Sequence, residues 1–322
     1  MSDASPEPLS DAPSRRRKPS WLKVKAPGPR QYRATGALLD ELELHTVCDA
    51  ARCPNKGECY SSGTATFLIL GDACTRACRF CAVETVGAAG PRTLDLDEPR
   101  RVAEAARRLA LRHVVVTSVT RDDLPDGGAG QFAAVVAGVR AELPAATVEV
   151  LVPDLGGDEA ALAAVLAARP DVLNHNLETV PRLYPQVRPQ ARYARSLELL
   201  VRAAAWARAP GTPAPSDGCR PLVKSGLMVG LGERTTEVEE VLGDCAAAGV
   251  DALTIGQYLQ PDARCLPVAR YVEPTEFAAY EMRGAAVGLQ VAAAPFVRSS
   301  YRAAELLGRP AGARPADGGS RP

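Results

Sequence analysis

Between about residue 64 and residue 288 the chain alternates two kinds of segment. Short β-branched runs (TATFLIL, HVVVTSV, TVEVLV, DVLNHN, PLVKSGLMV and DALTIGQYL) are separated by Ala-, Leu- and Arg-rich stretches. Those stretches have helical spacing over roughly 97–110, 130–142, 158–168, 193–208 and 235–248, and a further helix near 274–288 starts just after Pro274. Asp97, Asp158 and Thr235 stand where a side-chain oxygen can accept from the free N–H groups of a first helical turn. Strand and helix in strict alternation mean a parallel sheet wrapped by helices, an α/β fold. Six units are too few to close an eight-unit barrel, so the pattern predicts an open, partial parallel (β/α)6 barrel, with a flat doubly wound sheet as the alternative. In either architecture a functional site belongs at the carboxyl ends of the strands.

The rest of the 322 residues reads as appendages to that unit. Residues 1–30 form a Ser-, Pro- and Arg-rich basic arm expected to be disordered, residues 31–63 an extension with its own cysteine motif, residues 64–288 the barrel, residues 289–308 a C-terminal segment containing RSSY, and residues 309–322 a low-complexity tail. The 38 basic and 38 acidic side chains cancel, which removes any global field toward nucleic acid or membrane. No apolar run approaches the ~18 residues of a membrane span. Asp3, Glu7 and Asp11 argue against an organelle transit peptide, so a cytoplasmic location is expected.

Six of the nine cysteines fall between positions 48 and 81, a density that favours metal over disulfides outside a secreted context. In DACTRACRFCAVE, Cys74, Cys78 and Cys81 are spaced C-x3-C-x2-C directly after a strand, and no nearby His or Cys supplies a fourth ligand. Three thiolates can each hold one iron of a 4Fe–4S cluster and leave the fourth iron open to a substrate or cofactor. Zinc is the alternative, but its sites usually close on four ligands. Upstream, VCDAARCPNKGECY gives a second set of three, Cys48, Cys53 and Cys59, for which a zinc knuckle completed by His45 is the competing assignment. Cys219, Cys245 and Cys265 are scattered and read as ordinary thiols.

The first motif in its strand context resembles the radical S-adenosylmethionine enzymes. Both motifs together with VVVTSVTRDDLPDGGA, PDVLNHNLETVPRLYPQVRP, KSGLMVGLGE, TIGQYLQP and PFVRSSY resemble the lipoyl synthase family from about Gln31 to Leu307. The resemblance implies two 4Fe–4S clusters and S-adenosylmethionine as cofactors. One cluster, on Cys74, Cys78 and Cys81, would bind and cleave S-adenosylmethionine to a radical; an auxiliary cluster, on Cys48, Cys53, Cys59 and Ser300, with Ser299 as the fallback, would supply sulfur. The implied reaction inserts two sulfur atoms at C6 and C8 of an octanoyl chain carried on a protein lysine. The implied partners are an octanoylated lipoyl carrier domain or the glycine-cleavage H protein, an electron donor such as a flavodoxin or ferredoxin, and a carrier that rebuilds the auxiliary cluster. A biotin-synthase-like sulfur-inserting enzyme and a non-catalytic iron–sulfur carrier are the rival functions. The chain departs from the family pattern in a longer loop, ARAPGTPAPSDGCRP, and in Cys265, where a histidine is expected.

With a cofactor implied, polar side chains at strand ends gain a use. Asn174, Asn176 and Glu178 alternate onto one face of NHNLE, away from His175 and Leu177, and barrel interiors are otherwise packed with apolar side chains. Thr117 and Ser118 close another strand, followed by Thr120, Arg121, Asp122 and Asp123, where a surface salt bridge is the plainer explanation for Arg121. Arg188 and Lys224 are candidates for the cofactor carboxylate, or else solvated. The glycines of GLMVGLGE lack the G-K-[ST] of a phosphate loop and are read as room for the adenine edge or as a close turn.

Overall fold

A computed structural model describes residues 17–23, 29–88, 90–212 and 220–300. Most of the arm, the tail, Arg15, Arg16, Cys219 and Tyr301 lie outside these residues.

In chain order the elements are α1 (Pro29–Glu41), β1 (His45–Thr46), α2 (Val47–Ala50), α3 (Lys56–Ser61), β2 (Thr66–Ile69), β3 (Ala73–Cys74), β4 (Glu84–Thr85), α4 (Glu98–Arg108), β5 (His113–Ser118), α5 (Ala129–Glu142), β6 (Thr147–Leu151), α6 (Glu159–Ala167), β7 (Val172–Asn174), α7 (Tyr184–Val187), α8 (Tyr193–Arg208), β8 (Leu222–Val229), α9 (Thr235–Ala247), β9 (Ala252–Gln257), α10 (Pro274–Ala286) and β10 (Gln290–Ala294). One sheet takes the order β1-β2-β5-β6-β7-β8-β9-β10. Every neighbouring pair in it is parallel except β1 with β2. The six predicted strand–helix units are all present. The sequence pattern missed a seventh parallel strand, β10, which pairs with β9 and begins at Gln290, beyond the 288 boundary drawn for the barrel. Its run QVAAA has one β-branched residue, so local propensity does not announce it.

Alternation along each strand sorts the side chains into two layers. Val114, Val116, Val148, Val150, Leu173, Val223, Leu227, Val229, Leu253 and Ile255 join the buried core shared with the helices. The registers Leu68↔Thr117, Thr117↔Leu151, Leu151↔Asn174, Asn174↔Lys224 and Lys224↔Ala252 run across the opposite, inner face.

The predicted helix starts are borne out to different degrees. Asp158 caps α6, accepting from Ala160 N and Ala161 N. Asp97 stands at the N-cap of α4, but its carboxylate is taken by Arg100 at 2.8 Å instead of the backbone. Thr235 is the first residue inside α9; the N-cap is Arg234, and Glu237 reaches back to accept from Arg234 N at 2.8 Å. Among the described residues no helix is long and apolar enough to cross a membrane.

Candidate functional site

The first cysteine loop hangs from the carboxyl end of β2. Its base is closed by the β3/β4 pairing and by Val86 N donating to Cys74 O at 2.9 Å. Cys74 Sγ accepts from Arg76 N at 3.4 Å and from Thr120 N at 3.3 Å. Between the cysteines, Arg76 forms a two-pronged bond to Asp122, at 2.7 Å from both Nε and Nη2, and pairs with Asp154 at 2.7 Å. It thereby ties the loop to residues just beyond β5 and β6. Ala77 N donates to Gln190 Oε1 at 2.7 Å, and Arg79 N to Val187 O at 2.9 Å, so the far side is anchored as well. Cys74, Cys78, Cys81 and Cys265 together line a cavity of about 260 Å³. Burial pushes the Cys78 thiol up, against the opposing charge of Arg188, and pushes Cys81 up to about 12. Such thiols become thiolates only when a metal supplies compensating charge.

The second set sits on the small helices before β2. Cys48 lies on α2 and Cys59 on α3, with Cys53 between them donating its N–H to Cys48 O at 3.0 Å. Burial pushes Cys48 up to about 11, and burial reinforced by the charges of Cys48 and Cys53 pushes Cys59 up to about 12. His45 is on β1, where its side chain lines a different cavity of about 490 Å³ with Thr46, Asp49, Lys56 and Tyr60. Among the described residues no three or more His, Cys, Asp or Glu gather closely enough to hold a single metal ion.

The segment after β10 runs from the second set to the inner face of the sheet. Asn55 Nδ2, between Cys53 and Cys59, donates to Phe296 O at 2.8 Å. Arg298 faces both Cys53 and Glu178; burial pulls its pKa down while those two groups oppose the shift. Ser299 Oγ donates to Asn176 Oδ1 at 2.8 Å, and Ser299 O accepts from Lys224 Nζ. Two strand glycines make room for this approach. A Cβ on Gly226 would stand 2.7 Å from Ser299 Oγ, and one on Gly256 would collide with Val297 O. The space beside Gly226 is therefore filled by protein. Gly230 and Gly232, with φ of 102° and 110°, make the close turn, where Glu233 accepts from Gly230 N at 2.6 Å and Leu231 N at 2.9 Å.

The polar strand-end residues converge on the inner face, but mostly on one another. Lys224 (1% exposed) is not solvated; it is paired with Glu149 (0%) at 2.9 Å. Burial alone would raise the Glu149 carboxyl, yet the Lys224 charge and the nearby His113 ring hold it at about 2. Asn174 Nδ2 also donates to Glu149, at 3.0 Å, while Asn174 Oδ1 has no partner. Asn176 Nδ2 donates to Glu178 Oε1 at 3.0 Å, and Glu178 adopts a left-handed φ of 68°. As predicted, His175 and Leu177 turn the other way, His175 Nδ1 onto Val152 O at 2.8 Å and Leu177 into the core. Thr117 Oγ1 donates to Leu151 O at 2.9 Å, and strand alternation puts Ser118 on the opposite face from Thr117. Arg188 is likewise buried. Its Nη1 donates to Asn176 O at 3.1 Å and Leu177 O at 3.3 Å, and its Nε is unpartnered. Arg121 pairs with Asp123 at 2.8 Å, but as a buried side chain that also donates to Leu70 O, not as a surface bridge.

Glu149, Arg76, Asp154 and Arg298 had no assigned role from sequence. Glu149 left a signal, a lone charge inside the β-branched run TVEVLV. Arg76 left none, because its partners lie 46 and 78 residues away.

Comparisons with known proteins agree with this architecture. Residues 68–245 match the family described as "Radical SAM superfamily", and residues 7–53 match the "N-terminal domain of lipoyl synthase of Radical_SAM family". A lipoyl synthase of Nitratidesulfovibrio vulgaris is 57% identical over 286 residues, covering 88% of this chain and 91% of that protein. One of Rubrobacter xylanophilus is 51% identical, covering 92% and 89%. Among solved structures, HydG, a maturase of the [FeFe]-hydrogenase, superposes with a TM-score of 0.54 at 13% identity, over 85% of this chain and 66% of that one. Streptococcus suis SuiB bound to S-adenosylmethionine gives 0.51 at 10% identity, over 82% and 60%. These two show the shared fold alone; identity near 50% over nine-tenths of the chain places it more narrowly, and the chain belongs to the lipoyl synthase family of radical S-adenosylmethionine enzymes.

Proposed function

We propose that the chain inserts sulfur at C6 and C8 of a protein-bound octanoyl group, with the two jobs divided between its two cysteine sets. The observation that carries this division is two separate three-thiol sets, one lining the cavity beyond β2 and one on α2, α3 and the turn between them, with a C-terminal segment that reaches from the second set to Asn176 and Lys224 on the inner face. Cys74, Cys78 and Cys81 would hold the 4Fe–4S cluster that binds S-adenosylmethionine, and Cys48, Cys53, Cys59 and Ser300 the auxiliary one. Ser299 is already committed to Asn176 and Lys224, which supports Ser300 as the ligand. The unpartnered Asn174 Oδ1 and Arg188 Nε suit the polar half of S-adenosylmethionine. When bound, these groups supply hydrogen-atom abstraction from unactivated carbon and the sulfur itself, chemistry that side chains cannot perform.

The protein's part is placement. Arg188 sets a buried positive charge beside Cys78, where it favours the thiolate. Asn176, Glu178 and Lys224 hold the C-terminal segment against the barrel interior, so the two sets keep a fixed relation. The buried inner face keeps bulk water from a reactive carbon centre. The substrate is an octanoylated lipoyl carrier domain or glycine-cleavage H protein, and a flavodoxin or ferredoxin supplies electrons in the cytoplasm. The exposed Arg17, Lys18 and Lys23 belong to a basic arm suited to an acidic carrier. The test is anaerobic incubation with an octanoylated lipoyl domain, reductant and S-adenosylmethionine, followed by mass spectrometry of the carrier. A mass gain of two sulfurs is expected; an unchanged carrier alongside cofactor cleavage would overturn the assignment.

A further inference from the structure

The cavity of the first cysteine set has a fourth thiol. Cys265, 180 or more residues downstream in sequence, lines the same 260 Å³ space as Cys74, Cys78 and Cys81. It is 7% exposed, and its Sγ lies 3.4 Å from Cys81 O. The loop that carries it is pinned to the cysteine loop. Leu266 N donates to Arg79 O at 2.8 Å, Arg264 pairs with Glu84 at 3.0 Å, Gln260 Nε2 donates to Cys265 O at 2.8 Å, and Tyr258 OH donates to Leu266 O at 2.7 Å. The backbone at Cys265 is thus fixed, while its side chain is held only by weak sulfur hydrogen bonds, to Cys81 O and, at 3.7 Å, Asp262 Oδ1. A rotation about one side-chain bond therefore changes where the sulfur points at little cost.

Resting on the proposed function, we propose that Cys265 is a fourth ligand of the first cluster, binding the open iron when S-adenosylmethionine is absent and yielding to it when it arrives. Four cysteine thiolates are the usual complement of a 4Fe–4S cluster, and four cysteines line this cavity. On ligation an iron–sulfur bond forms and the thiol proton goes to solvent. On cofactor entry that bond breaks, the sulfur is reprotonated, and no electron moves in either direction. An extra thiolate adds negative charge to the cluster and makes it harder to reduce. The switch would thus withhold electrons until the cofactor is seated, and would shield the exposed iron meanwhile.

The test uses full-length protein in which Cys48, Cys53 and Cys59 are Ala, so that only the first cluster reports. Mild ferricyanide oxidation followed by electron paramagnetic resonance asks whether the open iron is lost to give a 3Fe–4S signal. Without S-adenosylmethionine this background should resist oxidation, whereas adding Cys265→Ala or Cys265→Ser should yield the signal. The two variants should also bind S-adenosylmethionine about tenfold more tightly, since no ligand is displaced. Serine keeps the size and hydrogen bond of cysteine but is a harder, poorer ligand for iron. A Cys265→Ala form that behaves like the parent would show that the side chain is not a ligand, and would overturn the proposal. Equal 3Fe–4S signals in all three forms would do the same. Oxidation needs no turnover, so it decides the ligation whether or not sulfur insertion is observed.

Discussion

Arg76 is the clamp that the first cysteine loop depends on, and replacing it with Gln has a calculable cost. Its side chain is 5% exposed and meets Asp154, which is fully buried, and Asp122, which is 43% exposed. Burial alone would raise the Asp154 carboxyl, but the hydrogen bond and charge of Arg76 hold it below the usual carboxylate range. Removing one partner of a buried pair costs about 3–5 kcal/mol, because the other charge is left uncompensated. Here Asp154 keeps Arg195 at 3.3 Å and Gly156 N at 3.1 Å, and Asp122 can turn to water, so the expected loss is near the lower figure. About 3 kcal/mol corresponds to a fall in melting temperature of about 4–5 °C for a chain of this size. The loop between Cys74 and Cys78 should also hold iron less firmly, since one of its ties to the sheet is gone. Thermal unfolding and iron analysis of anaerobically reconstituted protein are the assays. Pairing Arg76→Gln with Asp154→Asn should recover part of the stability by removing the stranded charge. An Arg76→Gln protein with unchanged melting temperature and full iron would refute the clamp, as would a double variant less stable than the single.

Other consequences can be checked directly. Wild type should hold about eight irons per chain, and Ala at Cys74, Cys78 and Cys81 should remove about half; stoichiometric zinc without iron would contradict both cluster assignments. Ala at Cys48, Cys53 and Cys59 should leave release of 5′-deoxyadenosine intact while abolishing carbon–sulfur bond formation, and lipoyl product from that variant with sulfide excluded would place the sulfur source elsewhere. Gly256→Ala drives a methyl into Val297 O, so it should displace the segment carrying Ser300 and lower auxiliary-cluster iron selectively, measured against the iron of the first cluster. His175 is buried and neutral, with burial depressing its pKa to about 4 from an unfolded value of about 6.5. Below pH 6.5 the unfolded chain gains a proton that the folded chain refuses, so stability falls as pH drops toward 4, by about 1 kcal/mol from pH 6.5 to 5.5. Urea unfolding at those two pH values should show this loss, and His175→Gln should flatten it.

The six strand–helix units were legible because each is a local pattern, a β-branched run followed by a helical period. Both three-cysteine motifs were legible for the same reason: their members lie within a dozen residues of one another, so their spacing can be read directly. What escaped was whatever depends on residues distant in sequence. β10 is a strand because β9 offers it an edge, not because QVAAA favours one. Lys224 looked free to meet a cofactor or water, and only the side-by-side packing of β6, β7 and β8 sets it against Glu149. Thr235 yielded its place as cap to Arg234 and Glu237 through side-chain geometry that composition does not encode. Cys265 read as an ordinary thiol until the fold carried it 184 residues back to the carbonyl of Cys81. Local chemistry is written in neighbouring residues, while burial, partnership and approach are set only when the sheet brings distant strands together.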